Sequence, residues 1–325
     1  MQTQNPVLNR ITAFCHNHTL LPQGSTVVLG LSGGPDSVFL LHFLASLHHA
    51  QVITLIAAHL DHQWRLESVD DARWCVQAAE QLGIACIVGR LSDFTHTIAW
   101  NGSQEEVGRR ARRLFLEQTA REYHANRIAL AHHAQDQQET FFIRMLRGAA
   151  IHGLTGMKPH HGLYIRPLLE TNKADILNYL HTHALPYLTD SSNNSLDYLR
   201  NRIRHTVLPA LQNTDDRFDH NFKKLLTHLQ KTQEYINSQA QHALEAIGIP
   251  EDNVYKLNIP QLLVLHPVIQ QQTIITWLID YHVPFTPSQA LFEEILRFAK
   301  NGSGTHSIHT AWSLTKKKEW LWVTK

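Results

Sequence analysis

Through the first two hundred residues, short apolar runs alternate with stretches whose apolar residues recur at helical spacing. Thr26-Val27-Val28-Leu29-Gly30-Leu31 predicts a buried strand, and Val38 to Leu44 reads as the apolar face of a helix reaching about His49. Val52 to Ala58 predicts a second strand, ending at His59-Leu60-Asp61-His62. Val69, Ala72, Val76, Ala79 and Leu82 mark the next helix, and Ile84 to Val88 a third strand. A helix from about Ser103 to Tyr123 and a strand over Arg127 to Ala131 continue the alternation, and Pro6 to His16 predicts a helix ahead of it. Strands alternating with helices imply right-handed parallel crossovers, hence an α/β fold with an open, mostly parallel sheet and helices on both faces. Ligands on such sheets gather at the carboxyl ends of the strands. Three polar clusters fall there: Ser32 to Ser37, His59 to His62, and His132 to Glu139.

Beyond Gly148 the pattern loosens through Gly153, Gly156, Pro159 and Gly162 into Ile165-Arg166-Pro167-Leu168-Leu169. A helix over Asn172 to His183 follows, then Asp190-Ser191-Ser192-Asn193, then a helix carrying Arg200 to Arg204 and ending near Pro209. Composition shifts at Asn213-Thr214-Asp215-Asp216, which divides the chain into residues 1–215 and 216–325. In the second part Phe218, Phe222, Leu225, Leu229 and Ile236 predict a long amphipathic helix. Helical stretches around Leu262 to Tyr281 and Pro287 to Lys300 come next, and Trp312 to Val323 reads as a short hairpin. The expectation is a smaller, mainly α-helical second domain.

Composition narrows the function classes. The chain has 325 residues, 43% apolar and 18% charged, as in soluble proteins, and no apolar stretch long enough to span a bilayer. The N-terminus lacks a charged segment followed by an apolar core, so the expected location is cytoplasmic. Three cysteines, Cys15, Cys75 and Cys86, show no paired spacing, which fits a reducing compartment and disfavours a Cys-x-x-Cys metal site. Net charge is only +1, so any nucleic-acid surface must come from local clusters of basic residues.

Ser32-Gly33-Gly34-Pro35-Asp36-Ser37 sits between the first strand and its helix. Glycines there let backbone amides close on a phosphate, and the helix start adds free N–H groups and the positive end of its dipole. Pro35 suits a helix start because it has no N–H to leave unused. Asp36 would repel a phosphate unless a cation intervened, so it reads as a magnesium site. The alternative is a tight strand-to-helix turn with Asp36 or Ser37 as a capping residue. No lysine follows the glycines, which excludes a Walker loop, and the dinucleotide fingerprint lacks its third glycine. Further on, Glu105, Arg109 and Arg112 share one helix face, either as a solvated charged surface or as guanidinium groups set for phosphate or carboxylate. His132, His133 and Asp136 could suggest zinc, but no cysteine or third histidine is spaced to complete a site.

The Ser-Gly-Gly-x-Asp-Ser turn resembles the pyrophosphate loop of the N-type ATP pyrophosphatases, which share an adenine nucleotide alpha hydrolase-like fold. In order along the chain, further segments are similar to the tRNA(Ile)-lysidine synthetase family within that superfamily. They are Ala58-His59-Leu60-Asp61-His62 with Arg65, Glu67 and Ser68; Glu105-x-x-x-Arg109-x-x-Arg112; and Ala131-His132-His133-x-x-Asp136-Gln137-x-Glu139-Thr140, running to Leu146-Arg147-Gly148. Arg166-Pro167-Leu168-Leu169, Asp190-x-Ser192-Asn193 and Arg200-Asn201-x-x-Arg204 complete the set, which covers roughly two thirds of the chain. Two positions depart from the family: Gln135 stands where the first of two aspartates is usual, and Arg113 where a tyrosine is common.

The resemblance implies ATP-dependent ligation of free L-lysine to the wobble cytidine of a CAU-bearing isoleucine tRNA. The cytidine is first adenylated with release of pyrophosphate, and the lysine ε-amine then expels AMP. It implies ATP and pyrophosphate binding by Ser32, Gly33, Gly34, Pro35, Asp36, Ser37, His59 and Asp61, with magnesium on Asp36. Asp36, Arg112, His133, Asp136 and Glu139 are the expected catalytic and lysine-binding groups. Arg109, Arg113, Arg200, Asn201 and Arg204 are expected to face the tRNA, with Lys223-Lys224 and Lys316-Lys317-Lys318 as further basic surface in residues 216–325. The family's longer members carry another C-terminal domain, so a compact version is expected, compatible with a homodimer. The rival readings are a tRNA cytidine thiolation enzyme, which would need a catalytic cysteine pair, a small-molecule ligase of the same superfamily, and a non-catalytic tRNA-binding protein on the same fold.

Overall fold

The computed structural model describes residues 5–65, 67–94, 96–97, 101–189, 198–251, 254–285 and 288–325. The Asp190 to Asn193 segment therefore lies outside the described residues.

The elements of the first part are α1 (Pro6–Asn17), β1 (Ser25–Gly30), α2 (Pro35–His49), β2 (Ile53–Asp61), α3 (Ser68–Glu80), β3 (Cys86–Arg90), α4 (Gln104–Glu122), β4 (Arg127–Ala129) and α5 (Ala134–Leu146). After them come α6 (Ile151–Leu154), β5 (His160–His161), β6 (Tyr164–Ile165), α7 (Lys173–Thr182), α8 (Leu199–Arg202) and α9 (Leu208–Thr214), the last two joined by a π-helical turn at Ile203–Val207. Six strands form one sheet in the order β3-β2-β1-β4-β6-β5. All neighbours are parallel except the β5–β6 edge pair.

Burial on both faces explains why β1 is an unbroken apolar run. Val27 and Leu29 point into a cluster with Phe39, Leu40, Leu44, Ile176 and Leu180, while Val28 joins Ile56, Leu60, Phe115, Leu116 and Ile128 on the other side. Helices on both faces require such strands to be apolar throughout. Phe39 of α2 meets Tyr179 of α7 edge-on at 4.9 Å, which packs the two helices together on one side of the sheet.

The second part holds α10 (Phe218–Ile247), β7 (Gly248–Glu251), β8 (Val254–Asn258), α11 (Ile259–Val264), α12 (Pro267–Asp280), α13 (Gln289–Asn301), β9 (Gly304–His309), β10 (Trp312–Lys317) and β11 (Trp320–Thr324). The anticipated C-terminal hairpin is the β10–β11 pair of a larger, antiparallel sheet ordered β7-β8-β11-β10-β9. Pro250 is tolerated because β7 is an edge strand. The helical stretch expected over Leu262 to Tyr281 is two helices, broken before Pro267, since proline sterically disfavours helix at the residue ahead of it. Trp277, Leu257, Leu314 and Leu321 centre this unit's own core.

The chain divides into two compact units: Met1–Ala149 with Gly156–Asp219, and Ala150–Thr155 with His220–Lys325.

Candidate active site

The turn after β1 is held by its own side chains. Ser32 N–H donates to Ser37 Oγ at 3.2 Å, the two hydroxyls lie 3.1 Å apart, and Ser37 Oγ donates to the Gly34 carbonyl at 2.9 Å. Gly33 takes φ +82°, where a side chain would be strained, and a Cβ there would sit 2.6 Å from Leu188 Cδ1. The Gly33 carbonyl instead accepts from Leu188 N–H at 2.9 Å. Gly34 caps α2 and Pro35 opens it, so the first turn presents backbone N–H groups and the positive dipole end at the close of β1.

Asp36 lies in that first turn, and Lys173, the first residue of α7, lies across from it. Lys173 Nζ donates to both carboxylate oxygens, at 2.6 and 2.7 Å. Gln135 fixes the lysine's backbone, its Oε1 accepting from Lys173 N–H at 2.9 Å. The departure from an acid at position 135 thus places a neutral acceptor on the free N–H of a helix start.

The α5 start supplies the other acids. His133 N–H donates to Asp136 Oδ2 at 2.9 Å, a cap on the helix. The His133 ring is buried, with Nε2 3.7 Å from Asp36 Oδ2 and 3.6 Å from Asp136 Oδ2. Glu139, one turn on, has no solvent exposure, yet both its oxygens are satisfied. Arg204 Nε donates to Oε1 at 2.6 Å, Arg200 Nε to Oε2 at 2.6 Å, and Arg204 Nη2 to Oε2 at 3.1 Å. Arg200 Nη2 also reaches Asp136 Oδ1 at 2.9 Å. Arg200 lies in α8 and Arg204 in the π-helical turn that continues it, about one turn on, so each can approach the same buried carboxylate.

Electrostatics follow from these contacts. Burial alone would raise the Asp136 carboxyl, but His133, His132 and Arg200 together hold it below its ordinary value. Burial would lower Arg200, and the facing Asp136 and Glu139 raise it instead. Burial, aided by Arg166 and Arg200, pushes His132 down to about 4 against the pull of Asp136, so its ring is neutral at pH 7.

A second group forms at the end of β2. His59 is buried, its Nδ1 2.9 Å from the Leu31 carbonyl just ahead of the glycine turn, and burial lowers its pKa. Asp61 accepts from Gln63 N–H at 2.8 Å. Arg112 Nη2 donates to His62 Nε2 at 2.9 Å, and His62 stacks on Trp64 with centroids 4.5 Å apart. Burial, then Arg112 and His59, push His62 down to about 4, so its ring is neutral at pH 7, and the Arg112 donor facing Nε2 requires the remaining proton to sit on Nδ1.

The structure therefore joins Asp36, His133, Asp136 and Glu139 in one continuous cluster, with Arg200 and Arg204 as internal partners of its acids. Arg112, expected with these acids, pairs with His62 instead. Arg109 is exposed on α4; Arg113 pairs with Glu117 at 2.9 Å and lies over the Tyr164 ring; Asn201 is buried. Sequence reading missed Lys173, whose partner lies 137 positions away and which carries no motif of its own. For magnesium, the described residues contain no group of three or more His, Cys, Asp or Glu side chains suited to a metal ion. None is needed for an ion bound through one carboxylate and substrate phosphates, and Asp36, already facing a cation at the glycine turn, fits that use.

A glycine turn, a first-turn carboxylate and a parallel sheet ending on both define a nucleotide-using α/β domain. The chain belongs to the PP-loop domain family, whose model matches residues 4–211. Among curated proteins it is 30% identical over 310 residues to a tRNA(Ile)-lysidine synthase of Bacillus cereus, covering 93% of this chain and 65% of that one. It is 34% identical over 307 residues to the Bacillus subtilis tRNA(Ile)-lysidine synthase, covering 91% and 64%. The chain thus spans just under two thirds of the length of these relatives. In fold it is similar to a solved U34-tRNA thiolase of Methanococcus maripaludis, with TM-score 0.58 at 18% identity, covering 68% of this chain and 78% of that one.

Proposed function

We propose that this chain uses ATP to ligate free L-lysine to the wobble cytidine of the CAU anticodon of an isoleucine tRNA, acting in the cytoplasm. One observation carries the reading. The Ser32–Ser37 turn, Asp36 and the Asp136/Glu139 acids converge in one cluster, in a chain whose lysidine synthase relatives match over nine tenths of it.

In this reading the cytidine O2 attacks the α-phosphorus of ATP and pyrophosphate leaves into the amides of the glycine turn. Asp36 would hold a magnesium ion, which would offset charge on the phosphates when bound. The lysine ε-amine, having lost its proton, then attacks C2 of the activated ring, and AMP departs with the oxygen. His133 stands between the carboxylate at the ATP end and the carboxylate at the lysine end. Asp136, aligned by Arg200, offers negative charge to the amines of the substrate, the fully buried Glu139 holds Arg200 and Arg204 in place, and Arg112 offers a guanidinium for its carboxylate. Arg109 and Arg113 on α4, with the exposed third of Arg200 and Arg204, supply the surface toward the tRNA, whose target base must leave its stack.

Thiolation has no support in the cysteines. Burial pushes Cys15 and Cys86 up to about 12 and Cys75 higher still, which keeps them as unreactive thiols.

ATP, labelled lysine and a CAU-bearing isoleucine tRNA transcript test the proposal. Lysine-dependent AMP release with label in that tRNA is expected, and none in elongator methionine tRNA. No lysine-dependent AMP release on any CAU-bearing tRNA would overturn it.

A further inference from the structure

Asp36 does not wait as a bare carboxylate. Both its oxygens are engaged by one ammonium group, and the pair is half-open, with the Lys173 side chain 32% and the Asp36 side chain 25% exposed. The lysine's base is fixed, because its backbone N–H is tied to Gln135, while about a third of its side chain is open to solvent. A divalent cation that takes Asp36 must displace this ammonium, since two cations cannot share one carboxylate at hydrogen-bond distance without strong repulsion. The displaced charge needs a new partner, and the nearest anion brought by the same event is the phosphate chain over the glycine turn.

We propose that Lys173 is the resident counter-cation of Asp36, occupying the divalent-cation position until a nucleotide arrives and then transferring its ammonium to the phosphates. The proposal rests on the ATP half of the functional reading and not on lysine or tRNA. It makes metal and nucleotide binding mutually dependent: without phosphates the site repels a divalent ion, and with them it accepts one.

The test measures Mn2+ binding by electron paramagnetic resonance and pyrophosphate binding by calorimetry, on the intact chain. Wild type without pyrophosphate should bind Mn2+ weakly. K173Q should bind it about tenfold more tightly, the size expected for release of a charge-assisted hydrogen-bonded pair. The gain should vanish in K173Q/D36N, and K173R, which keeps the charge, should behave as wild type. Metal-free pyrophosphate should bind K173Q about tenfold more weakly than wild type. Circular dichroism and melting curves qualify each variant, with K173M replacing K173Q if the latter is unfolded. A purely structural lysine would lower the melting temperature of K173Q and leave its Mn2+ affinity unchanged, which overturns the proposal; so does a gain that survives D36N. Intact cation exchange in a protein that never ligates lysine would sink the functional reading and leave this one standing.

Discussion

Both units bury neutral polar side chains, but among the described residues only the first also buries ionisable ones. In the first, His59, Asp61, His133, Asp136 and Glu139 are buried; in the second, the buried polar side chains among the described residues are Gln233, Gln272 and Thr273, all neutral. The glutamines bond to each other at 3.1 Å, and Thr273 donates to the Ala240 carbonyl. A buried ion needs partners arranged around it, whereas a buried amide pair needs only its opposite number. The first unit maintains such an arrangement where its strands end; the second uses polar groups merely to fill a core.

Four substitutions or conditions would break or sharpen that contrast. D36N should lower turnover by about 10²–10³-fold, the scale of removing one electrostatic partner of a developing charge, while tRNA binding stays near wild type. Filter binding and AMP release, measured together, check this; a wild-type rate would remove magnesium from Asp36. E139A should destabilise the first unit by about 3 kcal/mol, the low end for breaking a buried pair, because Arg200 and Arg204 are each about a third exposed and can turn to water. Urea unfolding checks it. Acid should weaken the first unit first between pH 6.5 and about 4. His62 and His132, held near 4 when folded, take up protons more readily when unfolded, so stability falls as pH falls through that window. Asp136, held below its ordinary value, extends the loss at lower pH. Melting curves of H132Q should show a shallower slope over the same window. Q233L/Q272L should change stability by less than about 1 kcal/mol, since removing both partners of a neutral bond leaves no buried group unsatisfied, and Asn237, which also accepts from Gln233, is exposed to water. A loss as large as that of E139A would show that the second unit's polar core is also tightly specified.

The parallel sheet was legible because its strands are buried on both faces, leaving β1 and β2 as plain apolar runs. The β5–β6 hairpin is two residues per strand and too short to leave a pattern. In the second unit, β7 carries Gly248 and Pro250, residues that usually argue against a strand, and only its edge position admits them. At the site, the glycine turn was visible as spacing, and Arg200 and Arg204 through the resemblance. Their partners were not, because ion pairs such as Arg200 with Glu139 and Lys173 with Asp36 join residues 61 and 137 positions apart. Position 135 shows the limit from the other side. The glutamine was noticed as a missing acid, and only the structure gives it an occupation, as acceptor for the first N–H of α7.

Helix α6 has a consequence for how the molecule can be taken apart. The backbone leaves the first unit after Ala149, lends residues 150–155 to the second, returns at Gly156 and departs again after Asp219. Within the second unit, Gln230 of α10 donates to the Thr155 carbonyl at 3.0 Å. No single cut of the gene yields both units whole: a fragment ending near residue 219 carries a stray segment, and its complement lacks one. The chain is stitched rather than strung, so shuffling either unit into another protein would need two grafts.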